Sequence, residues 1–213
     1  MNLKELRELN LKLTKKKIKE SVTEDFLIIQ VIHTIDELIK ILNRLIENLR
    51  ERYSYYSLSV SKIEDLNEFL NAVKKKEIDK ELAIENKEDL ETILGLVNLA
   101  EGLIKVKEKQ EKYLEELTEM CCKNLKDITG TLIASRLIAI AKSLKRLAEL
   151  PSSTIQILGA EKALFRHLRT GARPPRFGII FSHEEITKAE NKGRAARRLA
   201  SKISLAAKKD YFR

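Results

Sequence analysis

Apolar residues recur in steps of three and four from about Thr23: Ile28, Val31, Ile35, Leu38, Leu42, Leu45 and Leu49 hold one seam, with Ile32, Ile39 and Ile46 beside it. That spacing predicts a long amphipathic helix with a coiled-coil seam. Thr23-Glu24-Asp25 supplies the start chemistry, a capping hydroxyl followed by acids at the positive end of the helix dipole. The period fails near Tyr53-Ser54-Tyr55-Tyr56-Ser57. A shorter helix is expected from Lys62 to Lys76, then a charged connection to about Asn86. A second long helix is expected from about Lys87 to Cys122. Leu90, Ile93, Val97, Ala100 and Ile104 hold one register there, and Leu103, Val106, Gln110, Tyr113, Leu117 and Met120 continue shifted by one, as at a stammer. Gly95 and Gly102 should weaken it by about 1 kcal/mol each relative to Ala, and as a pair they point to a close helix approach. Two long helices joined through a shorter one predict an antiparallel coiled-coil arm.

The flanks read differently. Residues 1–22 are rich in Lys and Leu without one clean period, which fits a short docked helix or a linker. Between 124 and 150, Leu132, Ile133, Ala134, Leu137, Ile138, Ala139, Ile140 and Ala141 predict a helix buried on several sides. Pro151 should end it, and Ser152-Ser153-Thr154 should cap the next segment. Lys162, Arg166 and Arg169 then share one helix face. Thr170 to Arg176 is a stiff basic loop, and Phe177-Gly178-Ile179-Ile180-Phe181 reads as a short strand or buried extended run. After Asn191-Lys192-Gly193, a last helix places Arg194, Arg197, Arg198 and Lys202 on one face and Leu199, Ile203 and Ala206 on the other. The expected organisation is all-α: an N-terminal helix or linker (1–22), a coiled-coil domain (23–122) and a compact helical domain (123–213).

Charge sharpens this division. Residues 151–213 hold 14 Lys/Arg against 5 Asp/Glu, whereas residues 1–150 hold 27 of each, so the whole excess of +9 lies in the last third. That placement points to a polyanion-binding surface, although a solubility bias would also produce it. The only cysteines, Cys121 and Cys122, are adjacent, which rules out a disulfide framework or zinc spacing between them. No catalytic set assembles: His33, His167 and His183 lack partners at metal-ligand spacing, and no nucleophile elbow or phosphate-binding glycine pattern occurs. An enzyme is therefore not expected, nor a cofactor. His183 could equally cap structure or touch nucleic acid. Arg outnumbers Lys from 163 to 198, which suits forked contacts to phosphate and base edges. No apolar run approaches a membrane span, so a cytoplasmic protein is expected (nucleolar or nuclear in a eukaryote).

The residues also carry a resemblance. Gly130-Thr131-Leu132-Ile133-Ala134-Ser135-Arg136 through Leu150-Pro151-Ser152-Ser153-Thr154-Ile155-Gln156-Ile157-Leu158-Gly159-Ala160-Glu161-Lys162 resembles the Nop domain of archaeal box C/D ribonucleoprotein core proteins. Gly178-Ile179-Ile180-Phe181-Ser182-His183, Lys192-Gly193-Arg194 and the tail Ala206 to Phe212 are similar too. The resemblance implies an all-helical domain that binds a kink-turn RNA jointly with an L7Ae-type protein, within particles that guide RNA 2′-O-methylation. Gly159, Ala160, Glu161 and Lys162 would face the composite surface, with Glu161 and Lys162 toward the partner protein. Lys162, Arg166, Arg169, Arg173, Arg176, His183, Lys192, Arg194, Arg197, Arg198 and Lys202 would hold RNA. The coiled coil would pair two such chains through Ile28, Val31, Ile35, Leu38, Leu42, Leu45 and Leu49.

Full-length relatives begin with a domain that recruits the methyltransferase fibrillarin and continue past the Asp-Tyr-Phe run. This chain has no room for the first and stops at Arg213, so fibrillarin binding is not expected of it. Two other readings stay open: a shortened paralogue that regulates or serves another ribonucleoprotein, and a coiled-coil assembly protein whose basic end is only a soluble surface.

Overall fold

The computed structural model describes residues 3–21, 23–79 and 86–212. Every regular element among them is helical. The helices group into two units, one drawn from Met1–His33 with Tyr113–Arg213, the other from Thr34–Lys112. The start of the first long helix and the end of the second group with the basic unit.

In the Thr34–Lys112 unit, the expected pair of long helices forms: α2 (Glu24–Tyr53) and α5 (Lys87–Cys121), linked through α3 (Leu58–Ser61) and α4 (Leu66–Lys74). Leu42, Ile46, Leu49 and Tyr53 of α2 pack with Leu90, Ile93, Val97 and Ala100 of α5, and Phe69, Leu70 and Val73 of α4 join that core. Each fully buried Leu or Ile contributes about 1.5–3 kcal/mol by leaving water. The end of α2 meets the start of α5. Arg52 donates to Asp89 and, at 2.8 Å, to Thr92 Oγ1, while the Tyr56 hydroxyl donates to Asp89 Oδ2 at 2.6 Å. That meeting gives the antiparallel sense.

The helix expected from Lys62 to Lys76 forms in shorter form as α4, and a separate one-turn helix, α3, precedes it. Ser57 Oγ accepts from Val60 N at 3.3 Å, and Asp65 Oδ1 accepts from Glu68 N at 2.8 Å, so each short helix has its own cap. Arg50 spans the break, donating to the carbonyls of Ser61 and Ile63 and lying 4.6 Å from the Phe69 ring centre. The charged connection falls largely at 80–85, outside the described residues.

The expected register slip in α5 does not occur. Leu114, Leu117 and Thr118 are buried, while Val106, Tyr113 and Met120 are exposed. The seam runs on from Ala100 through Lys107 and Glu111, which pair at 3.0 Å, so charged residues at seam positions made the pattern look shifted. Gly95 and Gly102 mark no close approach, since a Cβ at either would meet nothing within 4 Å.

The other unit is centred on α12 (Lys192–Phe212). Ala195, Ala196, Leu199, Ala200, Ile203, Ala206 and Ala207 form its buried face. Against it pack α6 (Lys123–Thr129), α8 (Leu144–Glu149), α9 (Ser152–Ile157) and α11 (Glu184–Thr187). The one helix expected from 124 to 150 is three, with α7 (Thr131–Ala141) between α6 and α8. Gly130 breaks the chain at φ +76°, and Lys142 adopts the left-handed conformation at φ +73°.

Side chains remote in sequence cap these pieces. Asp210 accepts from Asn124 N at 3.0 Å and Leu125 N at 2.9 Å, and Asp25 accepts from Leu144 N at 3.0 Å. Pro151 itself occupies the cap position of α9; Ser152, Ser153 and Thr154 lie inside the helix rather than capping it. α1 (Leu3–Ser21) is a helix along which Leu3, Leu6, Leu9, Leu11, Leu13 and Ile18 are exposed.

Candidate nucleic-acid interface

The Gly159–Lys162 run begins where two backbone segments touch. Gly178 N donates to Gln156 O and Ile179 N to Leu158 O, both at 2.8 Å. A Cβ on Gly178 would lie 2.0 Å from Leu158 O, so only glycine permits this approach. Gly159 itself holds φ +88°, and its amide donates to Glu161 Oε1 at 2.8 Å. Glu161 thus reaches back to fix the turn, in the manner of a first-turn acid. The turn launches α10 (Glu161–Thr170), on which no residue is buried. Lys162, Arg166 and Arg169 stand exposed along it, as do Phe165 (67%) and Leu168 (71%). Gly171 ends α10 in the left-handed conformation, and the His167 ring bonds the Ala172 carbonyl, so His167 holds the loop that carries Arg173.

The Phe177–Phe181 run is not a strand. Ile179–Ser182 forms a 3₁₀ turn that buries Ile180 and stacks Phe177 on Phe181, ring centres 4.6 Å apart. Lys192 lies 5.6 Å from the centre of the Phe181 ring.

Beside this stack opens a cleft of about 1080 Å³ lined by Arg176, Lys192, Arg194 and Arg197, with Gln156, Phe177 and Asn191 in its wall and Glu190 as the one acid. Gln156 Nε2 donates to Arg176 O at 2.6 Å and so fixes the loop that carries Arg176. Asn191 Oδ1 caps α12 by accepting from Arg194 N at 3.0 Å, which directs the positive helix end at the cleft. Among the described residues none of the four cations is ion-paired. Four cations, amide donors and a helix N-terminus around one opening suit a phosphate-rich ligand.

The single basic face expected on α12 divides. Arg194 and Arg197 line the cleft, but Arg198 and Lys202 are engaged elsewhere: Glu185 Oε1 accepts from Lys202 Nζ at 2.8 Å and lies 3.4 Å from Arg198 Nη2. The hydrogen bond from Lys202 holds the Glu185 carboxyl below the usual carboxylate range, with burial opposing and the charges of Lys202 and Arg198 assisting. His183 is occupied too. Its Nδ1 accepts from Glu185 N at 3.1 Å and its Nε2 meets Ile128 O at 3.0 Å, so the ring is a cap and tie with neither nitrogen left for a ligand.

Gly159, Ala160, Lys162, Arg166 and Arg169 lie on the α10 side, and Arg176, Lys192, Arg194 and Arg197 at the cleft. The seam expected to pair two chains is buried within this one. Ile28, Ile35 and Leu49 are fully buried, Val31 and Leu42 nearly so, and Leu38 and Leu45 half-buried. Coiled-coil periodicity cannot tell a seam closed within a chain from one closed between chains. Gln156, Asn191 and Glu185 join the site without having been expected there. Asn191 was readable as a helix cap ahead of Lys192; nothing in the sequence pairs Glu185 with residues 13 and 17 positions later. No group of three or more His, Cys, Asp or Glu able to hold a metal occurs among the described residues, and no described helix is long and apolar enough to cross a membrane.

Residues 31–213 match the Nop family, described as a snoRNA binding domain, fibrillarin. The chain belongs to the Nop family. Among its relatives, an uncharacterized NOP5 family protein of Methanocaldococcus jannaschii is 37% identical over 93% of this chain and 55% of its own length. Nucleolar protein 58 of Aspergillus fumigatus is 35% identical over 87% of the chain and 36% of its own length. Nucleolar protein 56 of Caenorhabditis elegans is 41% identical over 58% of the chain. The Nop chain thus spans about half the length of the archaeal relative and about a third of the fungal one. A crystal structure of a fibrillarin/Nop5p complex contains a chain similar over 99% of this one and 70% of its own length, with TM-score 0.58 and 26% identity. The all-α fold is that of the family.

Proposed function

We propose that this Nop chain is an RNA-binding scaffold of box C/D-type ribonucleoproteins, which recognises a kink-turn RNA together with an L7Ae-type protein. The observation that carries the reading is the cleft beside the Phe177–Phe181 stack, where Arg176, Lys192, Arg194 and Arg197 converge without acid partners among the described residues. The family description and the nucleolar relatives support an RNA ligand over any other polyanion. In this scheme phosphates of the RNA stem sit against the cleft cations and the α12 N-terminus. The α10 face, with Phe165 and Leu168 exposed beside the basic row, meets the partner protein: an apolar pair flanked by charge fits a protein surface better than a phosphate backbone. Glu161 acts by holding the Gly159 turn, so it shapes that surface from beneath.

Photocrosslinking to kink-turn RNA in the presence of an L7Ae-type protein tests the assignment. Crosslinked peptides are expected from Arg176–Phe181 and Lys192–Arg197. Crosslinks confined to the Lys-rich α1, or spread evenly over the chain, would contradict it.

A further inference from the structure

The cation pair on α12 that the cleft does not use is held by a carboxylate of the same unit. Glu185 stands at the start of α11, fixed there by its own amide donating to His183 Nδ1. Its Oε1 lies 2.8 Å from Lys202 Nζ and 3.4 Å from Arg198 Nη2, the geometry a phosphate oxygen would adopt on the same two groups. Glu184, next door, points elsewhere and pairs with Lys188 at 2.6 Å. Arg198 and Lys202 neighbour the cleft residues Arg194 and Arg197 along the exposed side of α12, so an RNA seated in the cleft passes within reach of them.

We propose that Glu185 is a specificity-determining residue that acts as an internal phosphate mimic, keeping Arg198 and Lys202 closed to RNA that merely presents a backbone. An ion pair of this exposure is weak and exchangeable, so it sets a threshold rather than a block. RNA that fills the cleft binds without needing the masked pair. An unbent duplex, which gains chiefly by adding phosphate contacts, must first displace the carboxylate. The inference rests on the reading of the cleft as an RNA site.

The test is fluorescence anisotropy across a salt series, at a saturating concentration of an L7Ae-type protein, with two probes, a kink-turn RNA and an unbent RNA duplex of equal length. For Glu185→Gln the duplex is expected to bind about 5- to 30-fold tighter near physiological salt, with a salt slope steeper by about 0.7–1.8, corresponding to one or two added phosphate contacts. The kink-turn RNA should gain less, so the preference narrows. Arg198→Ala and Lys202→Ala together, added to Glu185→Gln, should cancel the gain. Glu184→Gln, which removes the same charge one residue away, should change the duplex little. An unchanged duplex slope for Glu185→Gln, an equal gain for Glu184→Gln, or a gain that survives loss of Arg198 and Lys202 would overturn the proposal. Equal wild-type affinity for the two probes would instead remove the kink-turn reading, while the duplex response to Glu185→Gln still decides the mask.

Discussion

Removing Arg194 and Arg197 together tests the cleft most sharply. Both side chains line it, neither is ion-paired among the described residues, and the α12 backbone beneath them is fixed by the Asn191 cap and a buried alanine-rich face. Their loss should therefore take away charge without moving the helix. Each phosphate contact contributes a slope of about 0.7–0.9 in the logarithm of affinity against the logarithm of salt. At about 0.15 M salt the upper figure corresponds to about fivefold, or about 1 kcal/mol, per contact. Arg194→Ala/Arg197→Ala should thus weaken RNA binding about 30-fold and flatten the slope by about 1.4–1.8. Arg198→Ala in the wild-type background should cost much less, because Glu185 already offsets that charge. The assay is anisotropy titration over several salt concentrations, with circular dichroism to verify the fold. A double variant with an unchanged slope, or an Arg198→Ala variant that loses as much as Arg197→Ala, would refute the division of α12 into open and masked cations.

Other predictions concern the frame that holds the site. Asp210→Ala leaves Asn124 N and Leu125 N at the start of α6 without their acceptor, and should lower stability by about 1–3 kcal/mol in thermal unfolding; an unchanged melting curve would show that the cap contributes nothing. Gly178→Ala drives a Cβ against Leu158 O and should cost about 1–3 kcal/mol or more while loosening the start of α10. Wild-type melting and wild-type amide protection from 156 to 161 would contradict that. Burial, with the charges of Glu77 and Asp79 adding to it, pushes the Tyr53 hydroxyl up to about 12. A free tyrosine titrates near 10, so the unfolded chain loses this proton first. Stability is therefore full below about pH 10 and falls as pH rises toward about 12. Tyr53→Phe loses the 2.9 Å bond to Glu77 O, costing about 1 kcal/mol, but should lack that alkaline decline in chemical denaturation; an identical decline in both proteins would sink the assignment.

The long helices were legible because seam spacing is a local property: Ile28 to Leu49 and Leu90 to Ala100 repeat within their own segments. Which chain closes a seam is not local, and so the expected pairing residues proved to be the chain's own interior. The Gly130 and Lys142 breaks hid inside an apolar run that reads as one helix, since left-handed residues leave little trace in periodicity. The basic site was visible as composition, yet its sorting was not. Arg197 and Arg198 are neighbours with the same charge, and only the placement of α11 against α12 gives one to the cleft and the other to Glu185.

Joint recognition of RNA by this chain and an L7Ae-type protein is measurable in a gel shift with kink-turn RNA. The RNA is titrated with this chain alone, then at a saturating concentration of an L7Ae-type protein, each against an unbent duplex competitor. Weak retention is expected for the chain alone, a discrete slower complex when the partner is present, and resistance of that complex to the competitor. Binding that is the same with and without the partner, and the same for kink-turn and duplex, would contradict it.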